Sequence, residues 1–138
     1  MDEYKNIYKN YENCLQKFGT TNKGVDWPNE QDANRRYKIM LGLTKDKDID
    51  TISLLDFGAG CAHLNDYIVK EKLLNIKYSA LDISKKFCSV IKTKYPNINI
   101  YNLDILNKDD FKLLPIFDFI VMNGVFTEKR DLSNEKMW

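Results

Sequence analysis

Residues 51–63, TISLLDFGAGCAH, are the stretch of sequence that decides the fold. The run TISLLDF is short, apolar and stopped by glycines, which is typical of a buried β-strand. Gly58 and Gly60 predict a tight turn, since glycine lets the backbone pass close beneath a bound ligand where a Cβ atom would collide. A helix then begins at His63, and its first N–H groups have no partner within the helix. The stretch therefore predicts a strand, a ligand-binding turn and a helix.

The alternation of strand and helix continues as far as residue 123. Three further strands are predicted at 76–82 (IKYSALD), 98–104 (INIYNLD) and 117–123 (FDFIVMN). Between the strands we expect a helix over 63–74, a helix capped by Ser84 and a short helix capped by Asn107. Short connections of this kind imply a Rossmann-like, doubly wound parallel sheet of about four strands in an α/β fold.

Residues 1–50 have a helical pattern instead. Apolar residues recur every three or four positions over 2–18, which predicts a helix that stops at Gly19. The tyrosines of this pattern, Tyr4, Tyr8 and Tyr11, are expected to form a core stripe. A second helix is expected to begin near Pro28 and to end near Gly42. We expect a single domain with a helical segment or lid over 1–50 and a cofactor-binding α/β half over 51–138.

Composition excludes several classes of function. The 138-residue chain has 21 basic and 20 acidic side chains and a net charge of +1, so we expect neither nucleic acid nor a membrane surface as partner. No apolar run approaches the roughly 18–20 residues of a membrane span, and the acidic N-terminus does not predict a secretory signal. Three scattered cysteines without a CxxC pair argue against a disulfide framework or a metal site, and fit a cytoplasmic protein.

Polar residues stand at the end of each predicted strand: Asp56, Asp82, Asp104 and Asn123. Parallel sheets bind ligands at the carboxyl ends of their strands, so these side chains are candidates for a binding site. The glycine turn suits two classes of ligand, of which dinucleotides are the first. A dinucleotide-binding turn requires a third glycine at position 63, and this position is His63, which weakens that interpretation.

The stretch DFGAGCA resembles the first motif of the class I S-adenosylmethionine-dependent methyltransferases, in which an acidic residue precedes G-x-G and a small residue. Ala62 stands where the family has its third glycine. The resemblance continues through LDIS, NLDIL and FDFIVMNGVF, and it covers residues 51–126.

The resemblance implies S-adenosylmethionine as cofactor. It places Asp82 at the ribose hydroxyls and Asp104 with Ile105 at the adenine. The N-terminal segment would close over the cofactor, with Trp27, Arg35 and Arg36 as lid residues and an arginine pairing with the cofactor carboxylate. The implied cofactor-binding residues are Asp56, Gly58, Ala59, Gly60, His63, Asp82, Ile83, Asp104, Ile105, Asn123, Gly124 and Arg36.

Each of these residues has a structural alternative. Asp82 and Asp104 lie at strand-to-helix turns, where aspartate is common as a turn former or cap. Asp56 could hold the N–H groups of the glycine turn. His63 is the candidate for a catalytic base, with a first-turn helix residue near the amino-acid end of the cofactor as the alternative. Cys61 is interpreted as a small turn residue and not as a nucleophile, because no second histidine is present to activate it.

The resemblance implies methyl transfer to a small-molecule acceptor, by analogy in surface-glycan or secondary metabolism. At the carboxyl end of the fourth predicted strand, residues 123–126 read NGVF. The motif N/D-P-P-Y/F of enzymes that methylate amino groups of nucleic acids is not present there, which argues against nucleic-acid substrates. The family's sheet continues through a fifth strand and an antiparallel pair, so we expect a methyltransferase truncated after strand four. A second copy or a complementary chain would then cover the strand-four edge. The alternative is a non-catalytic binding or assembly module with the same fold.

Overall fold

The computed structural model describes residues 4–27, 29–45 and 49–125. The N-terminal segment contains α1 (Lys5–Phe18), a 3₁₀ helix (Asn22–Val25) and α2 (Glu30–Gly42). The remaining elements are β1 (Ile52–Phe57), α3 (His63–Lys70), β2 (Ile76–Asp82), α4 (Lys85–Lys94), β3 (Asn99–Asn102), α5 (Lys108–Phe111) and β4 (Phe119–Met122). Within these ranges, no helix combines the length and the apolar character needed to cross a membrane.

The four strands form one parallel sheet in the order β3-β2-β1-β4. Leu55 of β1 lies between Ser79 of β2 and Ile120 of β4 in the register. The predicted Rossmann-like, doubly wound parallel sheet is therefore confirmed. Because the chain moves outward from β1 in both directions, the switch point lies between β1 and β4, where such folds open a crevice at the carboxyl ends of the strands.

The core forms between one face of the sheet and the helices. Leu54, Tyr78 and Val121 come from neighbouring strands and belong to one buried cluster. The helices add further buried side chains to this cluster, namely Ala33, Tyr37 and Leu41 from α2, Leu64 and Ile68 from α3, and Ile91 from α4. On the opposite face of β4, Ile120 and Met122 remain 54% and 47% exposed, so no described residue fully covers that end of the sheet.

Local signals set the helix boundaries as predicted. The Ser84 hydroxyl accepts a hydrogen bond from the Phe87 N–H, and the Asn107 side chain accepts one from the Asp109 N–H. Gly19 ends α1 with a φ of 65°. The second helix begins at Glu30, later than the predicted Pro28, because Asn29 is its N-cap; Pro28 itself lies outside the described residues.

Three predicted elements of the α/β part are at least three residues longer than the observed ones. Helix α3 ends at Lys70 and not at Leu74, since the chain turns through Lys72 at a φ of 55°. Strands β3 and β4 each keep four residues of the seven predicted. The predicted features after Val125, including Phe126 of the fourth motif, lie outside the described residues.

Candidate functional site

The turn after β1 is left-handed at three of its positions. Gly58 and Gly60 have φ angles of 74° and 55°, and the N–H groups of Gly58 and Ala59 both donate to the Leu81 carbonyl. A Cβ atom on Gly58 would lie 2.6 Å from Cγ2 of Val125. The position therefore requires glycine, both because its φ is positive and because a side chain would collide with Val125. Ala62 has a φ of 59°, the conformation that the family's third glycine would adopt without strain.

Asp82 holds this turn from the end of β2. Its Oδ2 accepts a hydrogen bond from the Gly60 N–H and its Oδ1 accepts one from the Ser84 N–H, both at 2.9 Å. Burial raises the pKa of Asp82 to about 6, against the opposing effect of these two N–H donors. Each oxygen of an ionised carboxylate can accept more than one hydrogen bond, so Asp82 can bind a ligand as well as shape the turn.

Asp56 lies beneath the turn in the protein interior. Its Oδ2 accepts a 2.6 Å hydrogen bond from the Tyr78 hydroxyl, whereas the turn's N–H groups donate to Leu81 and Asp82. The alternative in which Asp56 holds the glycine turn does not match these contacts. Burial raises the pKa of Asp56 to about 7, and the nearby charge of Asp82 adds to the effect.

A cavity of about 570 Å³ opens at the carboxyl ends of the strands. This volume lies within the range of about 300–1,000 Å³ that is usual for small-molecule sites. Every residue that the sequence implied for cofactor binding, apart from Arg36, lines this cavity: Asp56, Gly58, Ala59, Gly60, His63, Asp82, Ile83, Asp104, Ile105, Asn123 and Gly124. We call it the strand-end cavity.

Helix α1 lies over the strand-end cavity. Tyr4, which precedes α1, lines the cavity together with Ile7, Tyr8 and Tyr11, and no residue of α1 is buried. The prediction that these tyrosines form a core stripe is therefore wrong. An amphipathic stripe shows that a helix has an apolar side, and this side faces the ligand cavity here instead of the core.

The loop after β3 fixes Asp104 at the cavity wall. Its Oδ1 accepts a hydrogen bond from the Leu106 N–H at 3.0 Å, as expected of a turn former. Its Oδ2 accepts a 2.6 Å hydrogen bond from the Tyr4 hydroxyl. Asp104 therefore shapes its own turn and also presents a carboxylate to the cavity.

Arg36 does not reach the strand-end cavity. It is exposed on α2, where its Nε donates to Oδ2 of Asp32 at 3.1 Å, one helical turn earlier. Its guanidinium also lies 4.7 Å from the centre of the Trp27 ring. Of the predicted lid residues, Trp27 lines the cavity and the exposed Arg35 does not. The position of Arg36 does not match the predicted role of pairing with a cofactor carboxylate.

His63 and Cys61 occupy different surroundings in the same turn. His63 Nε2 lies 2.8 Å from the Thr20 carbonyl oxygen, which can only accept, so Nε2 carries a proton and Nδ1 of the neutral ring is unprotonated. Cys61 is fully buried, and burial raises the pKa of its thiol to about 11, which suits the predicted turn residue and not a nucleophile.

Sequence reasoning missed a contact that fixes the turn from α4. Lys94 Nζ donates to the Cys61 carbonyl at 3.0 Å and pairs with Asp66 Oδ2 at 2.6 Å. The Tyr95 hydroxyl donates to the other oxygen of the same carboxylate. Because the partners are 28 and 33 residues apart in sequence, no local pattern could have indicated these contacts.

Comparison with solved structures identifies chains of the same fold. One is the crystal structure of the SeMet-substituted CurJ carbon methyltransferase, with 18% sequence identity and a TM-score of 0.51 over 90% of this chain and 41% of that one. Another is the YcgJ protein of Bacillus subtilis, with 16% identity and a TM-score of 0.50 over 75% of this chain and 42% of that one.

A third structure is the plantazolicin methyltransferase BpumL, solved in complex with a triazolic desmethylPZN analog and SAH. It has 22% identity over 86% of this chain and 40% of that one, with a TM-score of 0.49. No family model matches the sequence, and a search of curated proteins finds no match.

The chain thus spans about two fifths of the length of these three structures. In this chain the four-stranded parallel sheet and its helices follow the predicted order. The described part of this chain therefore has the Rossmann-like α/β fold that is found in methyltransferases such as CurJ.

Proposed function

We propose that this chain binds S-adenosylmethionine and forms part of a methyltransferase that acts on a small-molecule acceptor. The observation that carries the proposal is the strand-end cavity, where the glycine turn, the buried Asp82 and Asp104 come together at the carboxyl ends of the strands. The fold shared with a carbon methyltransferase supports it. Since the chain spans about two fifths of that structure, the activity of the whole protein is part of the proposal.

The polar groups of the cavity suit the proposed cofactor. The carboxylate of Asp82 is already oriented by Gly60 and Ser84, and its remaining lone pairs can accept from two adjacent ribose hydroxyls. Asp104 can accept from an adenine amino group, because each carboxylate oxygen accepts more than one hydrogen bond. Four carboxyl groups line this cavity, those of Asp26, Asp56, Asp82 and Asp104, and in their ionised forms they favour a ligand with positive charge.

S-adenosylmethionine supplies an activated methyl group on a sulfonium centre. The work of the protein is then mainly to hold two reactants in a productive orientation. In our proposal the glycine turn and Asp82 fix the cofactor end, and His63 is the candidate general base. The ring of His63 lines the cavity, and in the neutral tautomer whose Nε2 donates to the Thr20 carbonyl, Nδ1 can accept a proton.

Calorimetric titration with S-adenosylmethionine and with its demethylated product S-adenosylhomocysteine tests the proposal. Wild-type protein should bind both. The Asp82→Asn variant should bind both about 10-fold or more weakly, because it loses a charged hydrogen-bond acceptor. The matched control is Asp50→Asn, an exposed position outside the cavity lining, which should leave both affinities unchanged.

Two results would count against the proposal. Folded wild-type protein that binds neither compound would remove the cofactor assignment. Equal affinities of the wild type and Asp82→Asn would show that this carboxylate only shapes the turn. Binding without methyl transfer to any acceptor would favour the non-catalytic binding module.

A further inference from the structure

A second cavity, of about 580 Å³, lies beside the strand-end cavity. Residues of the 3₁₀ helix, α2 and α3 line it, and we call it the polar cavity. His63 and Tyr37 line both cavities, so the two spaces adjoin at these side chains. A molecule in the polar cavity would therefore lie next to a ligand at the carboxyl ends of the strands.

The lining of the polar cavity is made entirely of side chains that form hydrogen bonds. Thr21 supplies a hydroxyl, and Asn22 and Asn34 supply amides that both donate and accept. The rings of Tyr37 and Tyr67 lie 5.8 Å apart at 57° and contribute aromatic surface beside their hydroxyls. Mixed donors and acceptors around aromatic surface suit a ligand that presents many hydroxyl groups.

The charges in the lining favour an anionic ligand. Asp66 is already neutralised, since it pairs with Lys94 at 2.6 Å. Lys23, Lys70 and Glu30 also line the cavity, and within residues 4–27, 29–45 and 49–125 none of them forms an ion pair. Two ammonium groups and one carboxylate are thus available to a ligand, which leaves a positive balance.

We infer that the polar cavity is the acceptor site and that it takes a small, hydroxyl-rich anion such as a sugar phosphate or a sugar acid. The inference rests on the proposed function, because only a bound methyl donor makes the neighbouring cavity an acceptor site. The hydroxyl groups of the ligand pair with the amides and tyrosines, and its anionic group pairs with Lys23 and Lys70.

Titration of the ¹⁵N-labelled chain, followed by NMR, tests the inference with three probes: glucose 6-phosphate, glucuronate and glucose. At least one of the two anions should shift the amides of Asn22, Asn34 and Lys70, both with and without S-adenosylhomocysteine. Loss of two cationic partners in the Lys23→Ala/Lys70→Ala double variant should weaken that anion about 10-fold or more. The control Lys38→Ala, an exposed lysine of α2 outside both linings, should bind like the wild type.

The affinity for S-adenosylhomocysteine should be the same in the wild type, the double variant and the Lys38→Ala control, and circular dichroism should show that each is folded. Stronger binding of glucose 6-phosphate than of glucuronate would identify a phosphate ligand, and the reverse a carboxylate ligand. The inference is overturned if neither anion binds, if glucose binds as tightly as the anions, or if the double variant binds like the wild type. If the wild-type protein binds S-adenosylhomocysteine but neither anion, only the acceptor-site inference is rejected. If it binds an anion but not S-adenosylhomocysteine, the cofactor proposal is rejected and the polar cavity remains an anion-binding site.

Discussion

The hydroxyl of Tyr4 donates a 2.6 Å hydrogen bond to Oδ2 of Asp104, which joins the residue before α1 to the loop after β3. Helix α1 has no buried residue of its own. Polar contacts such as this one and the ion pair between Glu12 and Lys86 at 3.0 Å therefore contribute to its position over the strand-end cavity. A helix held in this way can separate from the domain more easily than one packed into the core.

Removal of the Tyr4 hydroxyl should loosen α1 without disturbing the sheet. In Tyr4→Phe, amide hydrogen exchange over α1 should become about 5–10-fold faster, which corresponds to the loss of one typical hydrogen bond of about 1–1.4 kcal/mol. Exchange in β1 and β2 should not change. Tyr8→Phe is the matched control, because Tyr8 lines the same cavity and has no described hydrogen bond. Equal exchange in both variants would contradict the role of the Tyr4 contact.

Asp82→Ala should weaken cofactor binding by about 1–3 kcal/mol, the cost of leaving hydroxyl partners unpaired. The structure adds a second effect, since the same carboxylate accepts from Gly60 and Ser84. Two backbone N–H groups lose their acceptor, so the free energy of unfolding should also fall by about 1–3 kcal/mol. Urea denaturation measures the stability and calorimetry measures the binding. A variant with normal stability would show that the turn does not depend on this carboxylate.

The buried carboxyl of Asp56 should make the folded state less stable as the pH rises from about 4 to about 7. Its pKa is raised from 3.8 to about 7 on folding, so between these values the folded state binds more protons than the unfolded state. The free energy of unfolding should therefore fall from about pH 4 to about pH 7. In Asp56→Asn this contribution is lost, and urea denaturation at several pH values should show a shallower decline. Parallel curves for the two proteins would contradict the assignment.

Two glycine-to-alanine substitutions should have opposite effects. In Gly58→Ala the φ of 74° and the contact with Val125 should destabilise the chain by at least about 1–2 kcal/mol. In Gly42→Ala, at the end of α2, the new Cβ meets no atom within 4 Å and the helix should gain about 0.5–1 kcal/mol. Thermal unfolding compares them, and a neutral Gly58→Ala would contradict the tight turn.

The exposed end of the sheet should promote self-association. Ile120 and Met122 present apolar side chains on one face of β4, and nearby Ile116 is 98% exposed. Light scattering at increasing concentration should show dimers or larger species of the wild type. Ile120→Lys should reduce association, since a charge on this face opposes burial. A wild-type chain that stays monomeric at high concentration would contradict this prediction.

Local signals explain why much of the fold could be predicted from the sequence. Ser84 and Asn107 cap helices through hydrogen bonds to residues two or three positions away, so a short pattern contains all the necessary information. The strand ends that carry Asp56, Asp82 and Asp104 converge because a parallel sheet brings its carboxyl ends to one edge. The lining of the strand-end cavity follows from these two facts.

The rest depends on contacts between distant residues. The stripe of Tyr4, Tyr8 and Tyr11 has the same spacing whether it faces a core or a cavity, and only the tertiary structure decides. Arg36 forms an ion pair within its own helix, which prevents the predicted role, although an Asp four residues before an Arg is a signal that the sequence does contain. The polar cavity brings together residues from three elements, so no single segment indicates it.

Burial opposes the negative charge of Asp56 and Asp82 and raises their pKa values to about 7 and about 6. A cation that enters the neighbouring space favours ionisation, so protons leave the protein as the cation arrives. The heat of this association would then depend on the ionisation enthalpy of the buffer that takes up those protons. A methyl donor with a positively charged sulfur would release more protons than its thioether product, whose sulfur is neutral. The two buried carboxyl groups would therefore distinguish the donor from its product by the number of protons released.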